Sequence, residues 1–101
     1  MLLFVKPDYL SRIRAGHKTT TIRPWKVCSL KPGAVLSFNG RVRVTITEVA
    51  HVRYGDLTDA DAQADGFASR LELDTAFRSH YPGVTVDSLV WVLRFAPPIA
   101  A

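Results

Sequence analysis

The sequence predicts an α+β domain whose antiparallel strands curl into a small β-barrel with about three flanking helices. Three observations predict it. An alternating apolar and polar run covers residues 34–52 and turns at Asn39-Gly40, the dipeptide best suited to a two-residue hairpin. Two helical stretches, opened by Thr58 and Ser69, follow that hairpin, and an apolar run from Leu89 to Phe95 closes the pattern. Strands and helices kept apart in this way indicate α+β organisation, and closure of the strands into a barrel removes exposed edges.

The elements follow in order. Met1 to Val5 is apolar and reads as a buried first strand over residues 2–5. Lys6, Pro7 and Asp8 stop it, so it is too short for a signal segment or a membrane span. Pro7 suits the first turn of a helix, and Tyr9, Leu10, Ile13 and Arg14 follow at helical spacing. Gly16 ends that helix, with Arg12, Arg14 and His17 near its negative pole. Three threonines and Ile22 then favour extended chain, and Pro24 keeps Arg23 out of the helical region. Lys31-Pro32-Gly33 is a turn.

Ala34 to Phe38 forms a strand, and Arg41 to about Val52 returns from the hairpin. Val42, Val44 and Ile46 share one face, with Arg41, Arg43, Thr45 and Thr47 on the other, as in a half-buried antiparallel pair. Thr58 opens the second helix with Asp61 in the capping-box position, and Gly66 ends it. Ser69 caps a third helix carrying Leu71, Thr75, Phe77 and Arg78, which Tyr81-Pro82-Gly83 breaks. Residues 1–101 make one domain, with its core over about 2–95 and a frayed tail at 96–101.

At 101 residues the chain is one domain's worth. Its 48% hydrophobic and 22% charged residues are ordinary for a folded globular protein and argue against a disordered chain. A formal net charge of +4 favours anionic partners such as RNA or nucleotides. The single cysteine, Cys28, allows no internal disulfide, which suits a reducing compartment and hence a cytoplasmic location; it reads as a small buried residue. His17, His51 and His80 have no metal-ligand spacing with each other or with Cys28, and no phosphate-binding glycine loop is present. No metal and no cofactor are expected, and no membrane association.

Gly16 to Arg23 is the densest polar stretch. Alternation puts Thr19, Thr21 and Arg23 on one side of the extended chain and Lys18, Thr20 and Ile22 on the other; Lys18 and Thr21 meet only if the chain bends after Gly16, which the sequence does not show. Tyr9 and Trp25 are candidates for stacking on a base, and Arg23 for clamping a phosphate or carboxylate. Trp91, among valines and leucines of the last strand, reads as core.

The stretch from Gly16 through Lys18 to Arg23 resembles the signature of the ASCH family, a glycine-x-lysine run ending in arginine. Pro32-Gly33 before a strand, Leu57 to Ala62 opening a helix, Gly66-Phe67, and Tyr81-Pro82-Gly83 before the last strand resemble the family too. The match runs from about residue 4 to residue 95. One departure is Ala34, where the family usually has an acidic residue. The resemblance implies a PUA-like barrel that acts on an RNA component. Small bacterial members remove the acetyl group from N4-acetylcytidine with a lysine, a threonine and a glutamate. Carried over, these fall on Lys18, Thr21 and, nine residues before Tyr81, Glu72. Arg23, Thr19, Trp25 and Tyr9 are then the substrate-binding candidates, and a modified nucleoside or RNA is the partner.

Such chemistry needs a nucleophile, a base and a group that holds the oxyanion. With a reference pKa of about 10.4, roughly one lysine in 2,500 is neutral at pH 7, so Lys18 acts as a base only if burial or Arg23 lowers its pKa. Two versions stay open. Lys18 is the base with Glu72 as acid or orienting group, or charged Lys18 holds the oxyanion while Glu72 takes the proton. Glu72 also fits a capping box with Ser69. The alternatives to an amidohydrolase are a non-catalytic RNA-binding module, supported by Arg41 and Arg43 on one strand face, and, ranked last, a ribonuclease.

Overall fold

A computed structural model describes residues 1–99. The elements run β1 (Leu2–Leu3), α1 (Pro7–Arg14), β2 (Thr20–Arg23), β3 (Val35–Phe38), β4 (Val42–Arg53), a 3-10 turn (Tyr54–Asp56), α2 (Asp59–Ala64), α3 (Arg70–His80) and β5 (Leu89–Phe95). The five strands form one mixed sheet in the order β1-β3-β4-β5-β2. β1 pairs with β3 in parallel and every other pair is antiparallel.

The local signals act as their chemistry requires. Asn39 (φ 56°) and Gly40 (φ 68°) both take positive φ in the β3–β4 turn, the conformation of a hairpin turn that follows strand twist. Thr58 and Asp61 form a complete capping box at the start of α2. Ser69 Oγ accepts from the Glu72 amide at 3.2 Å, but the reciprocal bond from the Ser69 amide to the Glu72 carboxylate is not formed. The alternation of β4 holds from Val42 to Ile46 and then shifts register between Ile46 and Glu48, a bulge at Thr47 that turns the strand.

The sheet buries a cluster on each face. Leu10 and Ile13 of α1 pack with Leu36, Phe38, Val44, Leu93 and others on one face. Leu73 and Phe77 of α3 pack with Ile22, Tyr54, Leu57 and Val90 on the other. Leu93 and Val90 belong to opposite clusters because successive strand residues point to opposite faces.

Three expectations are corrected. The sheet is open and not a closed barrel: β1 and β2 are its two edges. β1 is two residues long and pairs with β3 alone; a side chain spans the seam to β2, with Arg23 Nη2 donating to the Phe4 carbonyl at 3.2 Å. The first strand is an edge and not buried. Leu3 is inside, while Leu2 and Phe4 are 52% and 71% exposed. The tail is not frayed through residue 99, because the Ala96 and Ile99 amides donate to the Thr45 and Arg43 carbonyls at 3.0 and 2.8 Å. The rest of that expected tail lies outside the described residues.

Candidate active site

The open seam between the sheet edges leads into a cleft of about 330 Å³. Five aromatic rings line it: Phe4, Tyr9, Phe67, Phe77 and Tyr81. The polar groups among its lining residues are Lys6, Lys18, Thr21, Arg23, Asp65 and His80. Small-molecule sites take this form, an apolar hollow with a few convergent polar groups.

Three buried polar residues, Lys18, Thr21 and Asp65, line the cleft, and a fourth, Thr20, lies behind it on Asp65. Lys18, Thr20, Thr21 and Asp65 are the only buried polar or charged residues among those described. Lys18 Nζ donates to Asp65 Oδ1 at 2.7 Å and to the Asp65 carbonyl at 3.2 Å. Thr20 Oγ1 donates to the same Oδ1 at 3.0 Å. Lys18 and Thr20 therefore share a side of the extended segment, as alternation requires. Thr21 and Arg23 share the other, with Arg23 Nε donating to Thr21 Oγ1 at 3.0 Å. Lys18 precedes β2 at a bend, where its amide donates to the Arg12 carbonyl at 3.1 Å, and this places Lys18 in the same cleft as Thr21.

Gly66 makes the approach of α2 possible. Its φ is +94°, and a Cβ there would lie 3.3 Å from both Lys18 Cβ and Arg12 Cδ. Arg12 Nη1 donates to the Gly66 carbonyl at 3.0 Å. Its guanidinium lies 5.5 Å from the centre of the Tyr9 ring and 5.8 Å from that of Phe67. The C-terminal end of α2 is thus clamped onto the bend that carries Lys18.

Burial pushes the Lys18 amine below its ordinary pKa, against the Asp65 charge, and Arg23 and Arg12 push it the same way as burial. Burial pushes the Asp65 carboxyl above its ordinary pKa, against the charge and hydrogen bond of Lys18. The two proton affinities move towards each other, because a low-dielectric site disfavours both charges.

β2 contributes backbone groups as well as side chains. The Phe95 amide donates to the Thr19 carbonyl at 3.0 Å, and Thr21 and Arg23 lie opposite Leu93 and Trp91. In an antiparallel ladder this parity turns the amide and carbonyl of Ile22 away from β5. Ile22 also lines the cleft, and its donor and acceptor point out of the free edge of β2.

Of the residues expected at the site, Lys18, Thr21, Arg23 and Tyr9 line the cleft. Glu72 does not. It is exposed, one residue before the inward Leu73 on α3, and its carboxylate has no hydrogen bond among the described residues. Thr19 bonds to the end of α2 instead, its amide and hydroxyl both donating to the Ala64 carbonyl. Trp25 packs against the first core cluster, and its carbonyl accepts from Trp91 Nε1 at 3.1 Å. Trp91 itself is only half-buried and stacks on His51, with ring centres 3.9 Å apart and planes 2° from parallel.

Asp65 is the residue that sequence reasoning missed. One signal was present: an acid at the C-terminal end of a helix is out of place against the negative pole, so such a residue needs another reason to be there. A second hollow, of about 450 Å³ beside β4 and β5, has none of the buried polar residues in its lining. No group of three metal-ligating side chains meets among the described residues.

The structure is similar to the ASCH domain of Lactobacillus crispatus, with a TM-score of 0.75 and 17% identity over 93% of this chain and 76% of that one. The chain has the fold of an ASCH domain. A second ASCH protein, from Zymomonas mobilis, matches with a TM-score of 0.70 at 14% identity, over 97% of this chain and 68% of that one. The hypothetical protein PH0355 shares the fold at a TM-score of 0.78 and 18% identity over 97% of both chains. No protein-family model and no curated protein matches the sequence. The ASCH likeness is therefore one of fold. In this version of the fold the cleft sits between the two sheet edges, and no helix among the described residues is long and apolar enough to cross a membrane.

Proposed function

We propose that this ASCH-fold protein is an amidohydrolase that removes the acyl group from N4-acetylcytidine-type nucleosides, with Lys18, Thr21 and Asp65 as its working set. The observation that carries this reading is the buried Lys18–Asp65 pair beside Thr21 in an aromatic-lined cleft. Asp65 takes the part that sequence reasoning gave to Glu72.

The roles follow from the contacts. Aromatic walls suit a planar pyrimidine, and the Ile22 amide and carbonyl suit its hydrogen-bonding edge. Arg23 Nε occupies one lone pair of Thr21 Oγ1, which stabilises negative charge on that oxygen and leaves its proton free to depart. In the reacting form the Lys18 proton has passed along their hydrogen bond to Asp65, so the amine, made less basic by burial, is neutral and accepts the proton from Thr21. Thr21 Oγ1 bonds to the acyl carbon, the bond from that carbon to N4 breaks, and N4 leaves as the amine with the proton from Lys18. Water then hydrolyses the threonine ester to acetate. Groups fixed in place before the reaction supply most of the stabilisation such steps need.

The test is to incubate the protein with N4-acetylcytidine and follow cytidine and acetate by chromatography. Release of both, lost in Lys18→Ala, is the expected result. Turnover unchanged in Lys18→Ala overturns the mechanism.

A second reading is a non-catalytic RNA-binding module. Arg41 and Arg43 are exposed on β4 and its preceding turn, and the His51–Trp91 stack is also at the surface of the sheet. That reading requires RNA affinity that falls steeply with salt.

A further inference from the structure

We propose that the cleft takes its pyrimidine as a phosphate ester, with the phosphate held at the rim by Lys6 and Arg23. This rests on the reading that the base occupies the cleft. The cleft lining carries three full cations, Lys6, Lys18 and Arg23, against one anion, Asp65. Lys18 and Asp65 neutralise each other at 2.7 Å. Lys6 and Arg23 are left, and neither forms an ion pair among the described residues. A neutral nucleoside gives these two charges nothing to meet.

The geometry of Arg23 strengthens the case. Its Nε is taken by Thr21 and one donor of Nη2 by the Phe4 carbonyl. Nη1 and the second hydrogen of Nη2 have no partner among the described residues, out of five donors in the guanidinium. The two bonds that are made fix the fork in place across the open seam. A guanidinium already held still loses little freedom when it binds an anion. Lys6 is exposed on the same cleft, just before α1, and supplies a second charge for phosphate oxygens. Charge-assisted bonds of this kind are among the stronger polar contacts.

The experiment is calorimetric titration of the wild-type protein with cytidine and with cytidine 5′-monophosphate at low and moderate salt. The expected result is tighter binding of the monophosphate by about tenfold or more, the effect of one charge-assisted hydrogen bond. The advantage shrinks as salt rises and narrows in Lys6→Gln. A dinucleotide with cytidine at its 3′ end offers the phosphate as a diester. Binding as tight as the monophosphate supports the site with an RNA strand as its source, and weaker binding supports it with a free nucleotide. Cytidine binding with no gain from the phosphate overturns this proposal and leaves the cleft reading intact. Failure of both cytidine and the monophosphate to bind overturns both.

Discussion

Lys18 Nζ stands 2.7 Å from Asp65 Oδ1 with both side chains less than a tenth exposed, and their separation of 47 positions in sequence makes this a contact between the bend before β2 and the end of α2. Removing one partner leaves the other charged and buried, which costs far more than the pair contributes.

Asp65→Asn keeps the shape of the side chain and removes its charge. It is expected to cost about 3–5 kcal/mol, measured by urea unfolding at pH 7. Lys18, without its anion, then has a folded pKa lowered further from the ordinary 10.5. Between that lowered value and 10.5 the unfolded chain binds more protons than the folded one, so the stability of this variant rises with pH across that window.

Lys18→Met has the opposite pH dependence. Asp65, without its cation, is pushed further above its ordinary 3.8. Between 3.8 and the raised value the folded state binds more protons, so stability falls as pH rises through that window. The double variant Lys18→Met/Asp65→Leu is expected to regain most of the stability either single change loses, while remaining inactive. Unfolding curves of all three at pH 5 and 9 check both signs.

Gly66→Ala puts a side chain where φ is +94° and where Lys18 and Arg12 already stand close. The left-handed conformation alone costs about 1–2 kcal/mol. The displaced Lys18 lowers turnover by more than the stability change explains, which kinetics on the folded fraction measures.

Tyr54→Phe tests the framework away from the cleft. Tyr54 Oη donates to Asp74 Oδ1 at 2.6 Å and accepts from Arg70 Nη1 at 3.3 Å. Arg78 Nε also donates to that Asp74 oxygen, at 2.8 Å. Losing the hydroxyl is expected to cost about 0.5–1.5 kcal/mol with turnover unchanged.

Much of the fold was legible because its signals are local. Asn39-Gly40, the Thr58–Asp61 box and the Ser69 cap each act within four residues. Alternation along 18–23 correctly paired Lys18 with Thr20 and Thr21 with Arg23. Sheet closure was not legible, because whether β1 meets β2 depends on edges far apart in the chain. Counting residues from Tyr81 led to Glu72 because spacing carries no direction. A step of one residue turns a helix by about 100°, and here it separates solvent-facing Glu72 from inward Leu73. Asp65 is buried by a contact 47 residues away, which no local pattern reports.

The most direct measurement compares acetate release from N4-acetylcytidine by Asp65→Asn, Thr21→Val and Glu72→Gln, each confirmed as folded. Loss of turnover in the first two with Glu72→Gln near wild type is the predicted result. Loss in Glu72→Gln with Asp65→Asn still active would contradict the assignment of the buried carboxylate to the working set.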